Sequence, residues 1–445
     1  PTFKPYTVRQ LDYALELIEQ AIYTPIAPLA VQAWCTREPL PFADREHGEP
    51  RSLTVGESWG GLFDCAWFHF TGVVPPSAAG RHVVLLLDVH GELCVYAAQG
   101  VPLRGLTTVA STYDFSLGQP GKRVLEVTPA AQGGETIDVW ADGGCNDLFG
   151  NLQGNGTLKE ASIAVCDDTV RGLFYDFEVL LDFLKTLPTD SPRYQQVLTG
   201  LNDAVHLLHG GIAEQAAAAR VILAPLLARR NGDAPLRITA VGHAHIDLAW
   251  LWPIRETQRK VARTFATVVD LMARYPDYVF GASQPQQYAW LKEQHPGLYA
   301  KVKELVRQGR IEPQGAMWVE ADTNIAGGEA LVRQLLQGKR FFREEFGVDI
   351  NYLWLPDVFG YSARPCSPTC CRKSRTTARR PRVRCARSNV TTRTLASHRT
   401  ACSSSASATV AAAPAKSISN VCNVFATWKG LAPCNRRRWP PSGPN

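Results

Sequence analysis

Between residues 236 and 362 the chain repeats one pattern: a short apolar run, a cluster of polar residues, then a long amphipathic stretch. The apolar runs are 236–241, 278–282, 311–319 and 350–355. Val261, Phe265, Val268 and Met272 recur at helical spacing, so a helix is expected from Pro253 to about Arg274. A second is expected to reach about Gln308, and a third to run from Glu329 to Phe346. Strands alternating with helices specify an α/β fold: a parallel, barrel-like sheet with crossover helices. In such sheets chemistry gathers at the carboxyl ends of the strands.

The first run ends at His243-Ala244-His245-Ile246-Asp247. Alternate residues of an extended strand share a face, so two imidazoles and a carboxylate aim at one point. Zinc accepts that mixed ligand set. His245 and Asp247 are the best-placed ligands; His243 either joins them or orients them. The plainer alternative is a polar core edge without metal. Asp357 ends a different run, between Leu355-Pro356 and Val358-Phe359. An acid among apolar neighbours needs a partner to offset desolvation. A metal is one such partner, and a helix N-terminus is another. Glu320 and Asp322 pose the same choice. Trp250 reads as an aromatic platform for a sugar ring and Trp252 as core packing, before a Pro253 suited to a first helical turn.

The rest of the chain divides by pattern. Residues 1–165 are β-rich, with apolar runs at 82–89, 93–97, 121–127 and 135–140 between turn residues, and suggest an accessory β-sandwich. Residues 166–232 read as a linker of three helices, and 233–362 hold the α/β region. Residues 363–445 carry 16 Lys and Arg, no Asp or Glu, and no usable periodicity. Residues 1–362 then hold 31 basic against 41 acidic residues. The net charge of +6 therefore hides a mildly acidic body and a basic tail. The tail is expected to be disordered or out of frame. Its Cys366, Cys370 and Cys371 fit no zinc-module spacing. The five body cysteines are widely spaced, as in a cytosolic protein with reduced thiols. No run of 18 apolar residues exists to span a membrane, and the N-terminus does not read as a signal peptide. A cytoplasmic location follows as an expectation.

Three blocks resemble motifs of the glycoside hydrolase family 38 α-mannosidases. Residues 240–252, around His243-Ala-His245-Ile-Asp247-Leu-Ala-Trp250, are similar to the first signature. Trp318-Val-Glu320-Ala-Asp322-Thr-Asn324, with Gly328-Glu329 and Arg333-Gln334, is similar to a second block. Trp354-Leu-Pro-Asp357-Val-Phe-Gly-Tyr-Ser362 resembles the nucleophile motif. The leading segments resemble the cytosolic or bacterial subgroup. The resemblance implies a zinc-dependent retaining exo-α-mannosidase with one zinc per active site. Its substrates would be mannose-containing oligosaccharides, with no membrane or nucleic-acid partner, and a homo-oligomer would be compatible. By motif position His245, Asp247 and Asp357 would bind zinc. Asp357 would also be the nucleophile, and Trp250 would stack under the sugar. After Ser362 the family pattern stops. With no Asp or Glu, the tail offers no carboxyl acid/base, and His398, its one histidine, sits in no matching context. A reading-frame shift near codon 363 is the expectation, with poor folding and little or no activity for this chain. A genuine basic tail that binds nucleic acid is the rival. Another zinc hydrolase of deacetylase or amidohydrolase type, or a carbohydrate-binding protein with a degenerate enzyme domain, are the alternative functions.

Overall fold

A computed structural model of the protein describes residues 4–108, 122–150, 154–230 and 240–360. The tail, residues 236–239 of the first expected strand, and Ser362 lie outside the described residues. Two compact units emerge: residues 4–24 with 165–230, and residues 25–164 with 241–360.

The first unit is helical: α1 (Lys4–Gln20), α2 (Asp168–Thr186), α3 (Pro192–Leu208) and α4 (Ile212–Leu227). Asp167 caps α2 by accepting from Thr169 N and Val170 N, and Ser191 caps α3 through Tyr194 N. The β-rich expectation for the N-terminal segment did not include α1. Its signal was present: Leu11, Ala14 and Ile18, all buried, sit three and four residues apart.

The second unit begins with a two-sheet sandwich. Its strands are β1 (Tyr23–Pro28), β2 (Ala30–Thr36), β3 (Glu49–Leu53), β4 (Ser58–Gly60), β5 (Cys65–Val73), β6 (Val83–Asp88), β7 (Glu92–Tyr96), β8 (Pro102–Thr107), β9 (Val124–Thr128), β10 (Thr136–Gly144), β11 (Gly156–Thr157) and β12 (Glu160–Cys166). One sheet has the order β1-β12-β6-β9, the other β3-β2-β5-β10-β7-β8. Phe68 and Phe70 of β5 and Leu85 and Leu86 of β6 are fully buried and fill the core.

The α/β region follows with β13 (Gly242–His243), α5 (Ile254–Arg274), β14 (Phe280–Ala282), α6 (Pro285–Gln294), α7 (Pro296–Arg307), β15 (Ile311–Pro313) and α8 (Gly328–Phe346). The strands are parallel in the order β13-β14-β15, with His243 opposite Gly281 and Phe280 opposite Ile311. Three strands do not close a barrel among the described residues. The helix expected to run unbroken to Gln308 is two, because Pro296 has no amide hydrogen to continue the first. The strand expected at 311–319 stops at Pro313, and Gly315 (φ +65) turns the chain away. Residues 350–355 form no strand. Leu355 packs with Met317 and Leu331, and the Ile350 carbonyl accepts from Lys339. Side chains replace the ladder: Tyr352 donates to Glu312 at 3.0 Å, and the Trp354 indole donates to His243 at 3.3 Å.

The sandwich and the α/β region share a buried ionic layer. Arg259 of α5 makes two bonds to Asp142 of β10, at 2.7 and 2.9 Å. Lys260 and Arg263 both donate to Glu92 of β7, at 2.6 and 2.8 Å. Glu256 accepts from Arg259 and is wholly buried. Gly105 of β8 leaves room for α5: a side chain there would press on Arg263 and Thr267.

Candidate metal centre at the carboxyl ends of the parallel strands

β13 delivers His243, and the two residues beyond it bring His245 and Asp247. β14 ends before Ser283-Gln284, and the loop after β15 carries Glu320. The segment anchored by Leu355 brings in Asp357. Four chain segments therefore meet at one edge of the sheet, where parallel α/β folds place chemistry.

His245, Asp247 and Asp357 each offer a ligand atom, and these atoms all lie within 4.8 Å of one another. His245 Nε2 is 3.2 Å from Asp247 and 3.7 Å from Asp357. On the other side of the ring, Nδ1 is 2.9 Å from Glu320. Neither ring nitrogen meets these oxygens in full hydrogen-bond geometry, so the attraction is mainly electrostatic. The His245 side chain is 9% exposed and Glu320 5%, whereas Asp357 is 53% exposed and reachable from solvent. Burial opposes a charge on His245, but the flanking Asp247 and Glu320 outweigh it and push the imidazole up to about 10. The two carboxylates of Asp247 and Glu320 together hold the proton on the imidazole.

His243 plays a different part. Its Nδ1 lies 2.8 Å from the Gly281 carbonyl, and Nε2 faces the Trp354 indole, which can only donate. Nδ1 therefore carries the hydrogen, and both ring nitrogens are committed. Burial lowers its basicity and keeps it neutral. Both nitrogens of His243 are thus engaged by Gly281 and Trp354 rather than by the His245 cluster.

Trp252 is tied to the start of α5. Its indole donates to Thr257 at 2.9 Å, and the Lys260 ammonium lies 4.8 Å from its ring centre. Trp250 is 48% exposed. Asp322 stands apart from the His245 cluster, with its carboxylate accepting from Asn324 N and Ile325 N.

Sequence reasoning gave Glu320 low weight and passed over Ser283, Gln284 and Gln287. Ser283 donates to Glu320 at 2.6 Å. Gln284 donates to the Ile246 carbonyl at 2.9 Å and accepts from Glu320 N at 3.2 Å, and Gln287 adds a second donor to Ile246 at 3.2 Å. Their place just after a parallel strand was the available signal.

Comparison with known proteins follows the same division. Residues 27–164 match the α-mannosidase jelly roll domain, and residues 235–377 match the glycosyl hydrolases family 38 N-terminal domain. The second match runs past Ser362, beyond the expected break. Alpha-mannosidase 2C1 of Mus musculus is 35% identical over 346 residues, covering 76% of this chain and 32% of that protein. Its Homo sapiens counterpart is 35% identical over 348 residues, 76% of this chain and 33% of its own. Alpha-mannosidase of Saccharomyces cerevisiae is 34% identical over 350 residues, 73% and 31% respectively. The chain thus spans about a third of the length of these relatives. With the jelly roll, the family 38 domain and the relatives in agreement, this chain belongs to glycoside hydrolase family 38.

Proposed function

We propose that the chain carries the metal and nucleophile part of a zinc-dependent retaining exo-α-mannosidase site, acting on terminal α-linked mannose of oligosaccharides. The convergence of His245, Asp247 and Asp357 inside the family 38 segment carries this reading. Zinc bonds of about 2.0–2.2 Å place tetrahedral ligand atoms about 3.4 Å apart. The 3.2 and 3.7 Å separations from His245 Nε2 bracket that spacing. The buried, charge-short imidazole is a second mark of fit. The family resemblance implies one further histidine ligand beyond Ser362, which is not assigned, so these three are the part of the ligand set that this segment supplies. Zinc bound there would supply Lewis-acid hold on sugar hydroxyls and favour ring distortion.

This chain's residues do the rest. Asp357, half exposed, attacks the anomeric carbon as the glycosidic bond breaks, giving a covalent mannosyl ester. Trp250 presents an exposed ring on which the apolar face of the sugar stacks. Glu320 holds the far side of His245, as carboxylates hold metal-binding imidazoles. The acid/base carboxyl is not assigned, and residues 363–445 contain no Asp or Glu to serve. Family membership favours a glycosidase over the deacetylase alternative. Cytoplasmic placement is supported by five free cysteines. No described helix is long and apolar enough to cross a membrane.

The test is mannosylation with an activated mannosyl fluoride, whose leaving group needs no acid. Zinc-loaded protein should gain one mannosyl mass on the peptide bearing Asp357. Chelator treatment and Asp357→Asn should each abolish it. Labelling that persists in Asp357→Asn would overturn the assignment.

A further inference from the structure

We propose that Gln284 is a positioning residue for the metal site, setting the spacing of His245 and Asp247 from a strained backbone; this rests on the zinc reading above. Gln284 adopts φ +62, ψ 87, a left-handed conformation that is unfavourable for a residue with a Cβ. Such strain persists only where the surroundings over-determine it, and it concentrates at functional sites.

The side chain shows what the strain secures. Gln284 is 2% exposed, and its amide reaches two loops at once. Nε2 donates to the carbonyl of Ile246, the residue between His245 and Asp247. Oε1 accepts from the backbone of Glu320, whose carboxylate faces His245. Gln287, in the first turn of α6, donates to the same Ile246 carbonyl. Fixing the Ile246–Asp247 peptide plane restrains the backbone at Asp247 and at the one residue that links it to His245. Tying that plane to the Glu320 loop fixes the imidazole between its carboxylate neighbours. A relaxed backbone at 284 would aim the amide elsewhere.

Two variants separate positioning from simple core filling. Gln284→Gly keeps the left-handed backbone at lower cost but removes the amide. Gln284→Glu keeps the shape but replaces the donor to Ile246 with an oxygen. Zinc affinity would be measured on the whole chain by competition with a chromophoric chelator. The visible spectrum of the cobalt(II)-loaded protein would report ligand geometry. The expected result is a 10–100-fold loss of zinc affinity in both variants and an altered cobalt spectrum, with the urea midpoint of metal-free Gln284→Gly at or above that of the parent. Parent-like affinity and spectrum in a folded Gln284→Gly overturn the proposal and leave the zinc reading intact. A parent protein that binds neither metal defeats both.

Discussion

Two buried polar clusters lie in the same compact unit, and they differ in charge balance. In the α5 layer, Glu92, Asp142 and Glu256 meet Arg259, Lys260 and Arg263, and short hydrogen bonds link them. At the strand ends, Asp247, Glu320 and Asp357 all face His245, without full hydrogen-bond geometry at its ring nitrogens. The first cluster matches three acids with three cations and joins the sandwich to the α/β region. The second sets the carboxylates of Asp247 and Glu320 on either side of one imidazole. Charge balance, rather than burial or the number of acids, separates cement from chemistry.

The same substitution should therefore have unlike effects in the two places. Glu92→Gln strands the Lys260 and Arg263 charges in a buried layer, and removing one partner of a buried ionic group costs about 3–5 kcal/mol. Asp247→Asn in metal-free protein relieves repulsion as much as it removes attraction, so its effect should stay within about 1 kcal/mol. Urea unfolding followed by tryptophan fluorescence compares them. Equal losses would erase the distinction between the clusters.

Adding metal should reverse the order of sensitivity. Zinc at about 100 times its dissociation constant stabilises the folded state by about 2.7 kcal/mol. The melting temperature of the parent and of Glu92→Gln should both rise with zinc, while Asp247→Asn should stay flat. A zinc-dependent shift that survives Asp247→Asn would place the metal elsewhere.

How much of this was legible beforehand follows from the range of the forces. The strand-then-helix alternation and the His243-x-His245-x-Asp247 spacing are local patterns that placed this segment at the end of β13, whereas Asp357 was placed by an expected strand that does not form. The ionic layer was hidden because Glu92 and Lys260 are 168 residues apart, and each resembles an ordinary surface charge in sequence. Helix α5 carries an apolar stripe that hid the fact that Arg259, Lys260 and Arg263 are also buried. The missing strand at 350–355 has the same origin: its apolar content fits a strand, but Met317 and Leu331 claim Leu355 instead. The place of Gln284 after a strand was legible, but its backbone strain was not, because nothing local marks a glutamine for φ +62.

Acid should probe the balanced layer next. Burial alone would raise the Glu256 carboxyl, but Arg259 and Arg263 outweigh it and hold it below its ordinary value of 4.5. A depressed folded value means this stabilisation is fully present above 4.5 and lost as pH falls through the lower folded value. Thermal melts between neutral pH and pH 3 should show that loss, and Glu256→Gln should flatten the acid limb while lowering stability at pH 7.

A smaller gain, of opposite sign to the loss at Glu92, is expected in the helical unit, where a third kind of polar burial occurs. Glu178 of α2 has no cation; burial, then Asp182 and Glu19, push its carboxyl up to about 7. The sign is opposite to that of Glu256. The folded state holds the proton more tightly than the unfolded one, so stability is full below 4.5 and declines as pH rises through 7. Glu178→Gln keeps the neutral shape at every pH. It should leave the melt of the helical unit unchanged at pH 4.5 and raise its stability by about 1–2 kcal/mol at pH 8, discounted for partial exposure. An uncompensated acid thus weakens this unit above neutral pH, whereas the acids at the strand ends face an imidazole: ligand atoms of His245, Asp247 and Asp357 lie within 4.8 Å of one another.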